Sequence, residues 1–112
     1  MLNKAQICHF NYVGDSVLGE GAHMSAGAIT SNLKLDQKEV VVRYEDAIIE
    51  TGLKKFGAII GDYCEIGCNV VLNPGSILGR RCVIYPGACI RGVVPSDHIV
   101  KLLQERMIVH KS

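Results

Sequence analysis

Four histidines, five cysteines and a few clustered cations carry the reactive chemistry available to this 112-residue chain. An imidazole titrates near neutral pH, which suits His9, His23, His98 and His110 to general-base work. The four do not form the close pair that a zinc site would use, and two lie in the terminal segment. Cys64 and Cys68 are spaced C-x3-C with no second pair at metal-ligand spacing, so no metal is expected. Lys54-Lys55, Arg80-Arg81 and Arg91 are either solvated charge or partners for an anionic ligand. The net charge is only +1, which gives no basis for a nucleic acid or an anionic membrane as partner.

The elements that position these residues follow from a six-residue rhythm. Leu18 and Met24 open two hexads, and Ile60, Ile66, Leu72, Leu78, Ile84 and Ile90 open six more. Ala22, Ala28, Cys64, Val70, Ser76, Cys82 and Ala88 occupy the small fifth place. Hexapeptide repeats predict a parallel β-helix, with one inward aliphatic, one small inward residue and one tight corner per face. Glycine suits such corners because it reaches backbone angles that other residues avoid. If three hexads make a coil, Cys64 and Cys82, 18 residues apart, stack about one strand spacing apart, roughly 4.8 Å. They read as two buried thiols filling small core slots, with no disulfide expected in a reducing compartment.

Residues 2–32 form a first repeat block, one residue short of a hexad between Val13 and Leu18, and residues 58–94 complete two further coils. Residues 33–55 break the rhythm. Within them Glu39–Tyr44 and Ala47–Thr51 read as two short strands joined around Glu45-Asp46, an excursion from one corner. Their apolar Val40, Val41, Val42, Ile48 and Ile49 predict a loop lying over a neighbouring subunit or a cleft mouth. Pro95-Ser96-Asp97 reads as a stop, and Ile99, Leu102, Leu103 and Met107 fall at helical spacing. The expected fold is therefore all-β, with about four coils. A β-helix over 1–95 carries the inserted loop 33–55, and a C-terminal α-helix and tail over 96–112 cover its open end. No run is long and apolar enough to span a membrane. Met1–Gln6 has no signal-peptide hydrophobic region, so the expected location is cytoplasmic.

The run His9-Phe-Asn-Tyr-Val-Gly-Asp-Ser and the later Gly27-Ala-Ile-Thr-Ser-Asn32 are not demanded by the hexad rule. Across about residues 5–95 the chain resembles the C-terminal acetyltransferase domain of the bifunctional glucosamine-1-phosphate acetyltransferase / N-acetylglucosamine-1-phosphate uridyltransferase. It is more similar still to the C-terminal domains of related bacterial and archaeal sugar-1-phosphate nucleotidyltransferases. The resemblance implies a left-handed helix, against the usual crossover preference, and a homotrimer with sites between subunits. It implies acetyl-CoA as co-substrate and an amino sugar or its phosphate as acceptor. By the same resemblance His9 is the catalytic base, and Tyr12, Asn32 and Lys55 contact the sugar substrate. His23 stands in that site where the family has asparagine. Cys68, at a usual serine, and Pro86 line the acetyl-CoA groove. The 22 residues between Asn32 and Lys55 replace a short link in the bifunctional enzyme.

The expected function is thus an acetyl-CoA-dependent N-acetyltransferase in sugar-nucleotide or cell-envelope precursor metabolism, without the nucleotidyltransferase domain. The alternative is a non-catalytic trimerising or regulatory β-helix derived from a sugar-1-phosphate nucleotidyltransferase. A γ-type carbonic anhydrase shares the fold but needs three histidines on one metal, and these histidines are not so spaced.

Overall fold

The computed structural model describes residues 1–112. Fifteen strands follow in order: β1 Gln6–Ile7, β2 Tyr12–Val13, β3 Val17–Leu18, β4 His23–Met24, β5 Ile29–Thr30, β6 Val41–Tyr44, β7 Ala47–Glu50, β8 Ala58–Ile60, β9 Glu65–Ile66, β10 Val71–Leu72, β11 Ser76–Leu78, β12 Val83–Ile84, β13 Cys89–Ile90, β14 Val93–Val94 and β15 Ile99–Val100. Thirteen of them stack in parallel as three faces of a solenoid. Face A runs β1-β4-β9-β12-β15, face B runs β2-β5-β10-β13 and face C runs β3-β8-β11-β14. The molecule therefore has four complete coils and the first strand of a fifth.

The hexad aliphatics build the core as columns. On face A, Ile7, Met24, Ile66, Ile84 and Val100 are register partners. On face C, Leu18, Ile60, Leu78 and Val94 are aligned. Face B aligns Val13, Thr30, Leu72 and Ile90. Every small fifth-place residue from Ala22 to Ala88 is buried, including the free thiols Cys64 and Cys82. Corners are turned by left-handed residues, and several are not glycine: Phe10, Asp15, Tyr63, Asn69, Arg81 and Asp97 all have positive φ. Stacked corners bond directly, as where Arg81 grips Asp97 with two contacts of 2.6 and 3.0 Å.

The terminal α-helix expected over 96–112 does not form; the chain contains no helix. Ser96 and Asp97, the residues able to cap such a helix, are used by the corner beneath them. Ser96 Oγ accepts the Arg80 amide at 2.9 Å, and Asp97 has φ +63 with its carboxylate on Arg81. Ile99, the first residue of the apolar stripe, then continues face A as β15. The residues left over are too few for a stable isolated helix, and 101–112 lie exposed without regular structure.

The excursion 33–55 is the hairpin that its pattern predicts, with β6 and β7 antiparallel and Val42 opposite Ile49. It lies against the chain's own B–C corner. Val40 and Val42 are buried, and the Val41 carbonyl would stand 2.5 Å from a Cβ added to Gly75. The whole of β7 is exposed.

Candidate functional site

The solenoid brings the expected site residues other than His23 to one face and its two edges. The A–B corner stacks His9, Ala26, Cys68 and Pro86. The carbonyls of His9, Ala26 and Cys68 accept amides from Gly27, Asn69 and Gly87 at 3.1, 3.1 and 2.9 Å, one coil up each time. His9, Cys68 and Pro86 thus share one ladder, and all three are exposed. Tyr12 opens face B beside this ladder, in register with Ile29, Val71 and Cys89 on the outward side.

The far edge of face B is a hydrogen-bonded group. Tyr12 Oη donates to Asn32 Oδ1 at 3.2 Å, and Asn32 Nδ2 donates to Asp15 Oδ2 at 2.7 Å. Gly14 lies beneath them, and a Cβ there would come within 2.7 Å of both Asn32 Nδ2 and Tyr12 Oη. One layer deeper, buried Thr30 Oγ1 accepts the Gly14 amide at 3.2 Å and meets Ser16 Oγ at 2.9 Å. Ser16 Oγ in turn accepts the Ala58 amide at 2.9 Å. A polar residue in an aliphatic column is costly unless fully bonded. Thr30 is bonded, and it fixes the turn that carries Gly14 and Asp15.

Lys55 returns to this edge despite the long insertion. Leu33 and Lys55 form an isolated bridge, and the Phe56 amide reaches the Asn32 carbonyl at 2.9 Å. The hairpin is therefore closed at its base, with the backbone of Lys55 beside Asn32.

His23 does not join this group. It stands on face A, its ring between Glu65 Oε2 at 2.9 Å and Cys8 Sγ at 3.3 Å. Asp15, Thr30, Ser16, Cys8 and Glu65 have no role in the sequence reading. Asp15 lies within the Tyr-x-Gly-Asp run, which was the available signal. Nothing local to residue 65 marks it as a partner of residue 23, because the contact exists only through coil stacking. No group of three or more His, Cys, Asp or Glu side chains is arranged to hold a metal ion.

A concavity of about 810 Å³ lies under the hairpin at the B–C corner, beside Ser31, Lys34, Arg43, Asn73 and Arg91. Its lining carries Lys34, Arg43 and Arg91 together with Asp36, 3.8 Å from Lys34, whereas face B is an open surface in a single chain.

The family model described as bacterial transferase hexapeptide (six repeats) matches residues 57–92. A bifunctional sugar-1-phosphate nucleotidylyltransferase/acetyltransferase of Sulfurisphaera tokodaii is 40% identical over 90 residues, covering 80% of this chain and 22% of that protein. The bifunctional protein GlmU of Methanocaldococcus jannaschii is 33% identical over 100 residues, 89% of this chain and 24% of that one. An uncharacterised acetyltransferase, YaiX, of Escherichia coli is 34% identical over 76% of this chain and 37% of its own length. The chain thus spans about a quarter of the length of these bifunctional relatives. Among solved structures, serine acetyltransferase isoform 3 of Entamoeba histolytica superposes with a TM-score of 0.64 at 16% identity, over 88% of this chain and 29% of that one. That likeness concerns the fold.

Proposed function

This chain is a hexapeptide-repeat protein of the bacterial transferase type, folded as a left-handed parallel β-helix, and from that premise we propose that it is an acetyl-CoA-dependent N-acetyltransferase domain acting on an amino sugar or amino-sugar phosphate. The observation that carries the reading is the bonded group Tyr12–Asn32–Asp15 at one edge of face B, with His9 on the ladder at the other. Asp15 holds the Asn32 amide in one orientation. That leaves an Asn32 N–H and the lone pairs of Tyr12 Oη to meet sugar hydroxyls. His9 takes the proton that the acceptor amine loses as it attacks, and its exposed ring at the corner is accessible for that work. Lys55 supplies a cation for an acceptor phosphate. Cys68 and Pro86, exposed on the same ladder, offer a surface for the pantetheine arm. Acetyl-CoA supplies the activated acyl group. The open face B of one chain supports assembly as a homotrimer, in which a neighbour closes the site, and a cytoplasmic setting accords with the substrates.

The test is thiol release from acetyl-CoA against a panel of amino-sugar phosphates. Acceptor-dependent release supports the reading. Failure to bind acetyl-CoA at millimolar concentration overturns it in favour of a trimerising or regulatory β-helix.

A further inference from the structure

The outward side of face A carries a second set of reactive groups, separate from the edge that holds Asn32. Cys8 follows β1, His23 opens β4 and Glu65 opens β9, so three successive coils contribute one residue each. The register pairs Gln6 with His23 and His23 with Glu65. Cys8, two residues beyond Gln6, emerges on the same side of the sheet. His23 Nδ1 lies 2.9 Å from Glu65 Oε2, and His23 Nε2 lies 3.3 Å from Cys8 Sγ. Thiol, imidazole and carboxylate therefore stand in the order of nucleophile, base and orienting group. Bonding to Glu65 places the ring proton on Nδ1 and leaves the Nε2 lone pair toward the thiol. The other members of this outward column are Gln6, Val83 and Ile99, so Glu65 is its only carboxylate. All three groups are open to a reagent: Cys8 is exposed, and the His23 and Glu65 side chains are 29% and 60% accessible.

We propose that Cys8 is an activated nucleophile that accepts an acyl group from a thioester, with His23 as its base and Glu65 as the residue that orients His23. Cys8 Sγ attacks the thioester carbonyl carbon as its proton passes to His23 Nε2. The acyl–sulfur bond of the donor breaks, and His23 returns the proton to the departing thiolate. One thioester replaces another, so no oxidant or further reactant is needed. The acyl step rests on the thioester-donor reading given above, but the reactivity of the thiol does not.

The experiment alkylates the whole chain with limiting iodoacetamide at neutral pH and follows each cysteine by peptide mass spectrometry. Cys68 and Cys89 are exposed internal controls. Because the thiolate is the reacting form, an activated Cys8 is expected to alkylate about tenfold faster than either control. His23→Gln should abolish the difference. Glu65→Gln, at an exposed site that tolerates substitution, should reduce it and guards against a misfolded His23 variant. Incubation with acetyl-CoA should then place a hydroxylamine-labile acetyl group on Cys8. Equal alkylation of the three cysteines, or an acetyl label absent or found elsewhere, overturns the proposal. If amino sugars are acetylated while Cys8→Ser is fully active and no label forms, this inference fails and the proposed function stands. A Cys8 label with no acceptor turnover gives the reverse result.

Discussion

Single atoms decide much at the edge of face B. Gly14 has no Cβ because one would lie 2.7 Å from Asn32 Nδ2 and from Tyr12 Oη. Gly14→Ala should therefore part that pair and raise the KM for the acceptor, while the far-UV spectrum stays that of the parent. Removing His9 should act differently. A lost general base costs about 10²–10⁴-fold in rate, so His9→Ala should lower kcat by that order and leave acetyl-CoA affinity unchanged in a binding titration. Thr30 acts one layer deeper. Thr30→Val keeps the volume but removes the acceptor of the Gly14 amide and the partner of Ser16. Leaving such groups unpaired costs about 1–3 kcal/mol, readable as a lower denaturant midpoint with an unchanged slope.

Among the elements, the hairpin β6–β7 is held less firmly than the coils. Val40, just before its inner strand, packs against the corner at Gly75 and Val42 is buried, while Ile48 and Ile49 of the outer strand are each 57% exposed. Val40→Ala removes two buried methyl groups, a loss of about 2 kcal/mol. That loss should fall on the hairpin, so amides of 41–50 should exchange faster with deuterium while those of β11 keep their protection. Protection lost equally in β11 would mean that hairpin and solenoid unfold as one unit. The hairpin sequence announced its strands through Val40–Val42 and Ile48–Ile49. It did not announce where they would lie, because the anchoring surface is made by residues 75 and 92 of later coils.

At the scale of the molecule, the stacked interior has a consequence at alkaline pH. Burial pushes the Cys64 thiol from an ordinary 9.0 up to about 11. The native state thus keeps its proton where the unfolded chain has lost it. This contribution to stability is complete below the unfolded value and is lost as pH rises through the folded one. Thermal stability should fall between about pH 9 and 11, and Cys64→Ala should flatten that fall. A slope unchanged by the substitution would assign the effect elsewhere. Assembly is the second prediction at this scale. The exposed β7, with Tyr12 and Ile59 on faces B and C, leaves apolar surface that a homotrimer would cover. Light scattering at micromolar concentration should give the trimer mass, and a monomer would refute it.

The sequence by itself determined the solenoid. A hexad of Leu18, Met24, Ile60 and their successors allows one burial solution, with every sixth side chain inward and Ala, Cys, Ser or Val at the tight place. Tyr12 and Asn32 were legible too, because the motifs that carry them exceed what the hexad requires. The C-terminal helix was misread because Ile99 satisfies helical spacing with Leu102 and Leu103 and equally, with Val100, one further rung. Only the presence of a finished coil underneath, offering Arg80 and Arg81 to Ser96 and Asp97, decides between them. Tertiary structure alone brought Lys55 back beside Asn32 and joined Cys8, His23 and Glu65. Those contacts cross 23, 15 and 42 residues of chain, and short-range patterns carry no record of side chains that meet only when coils stack.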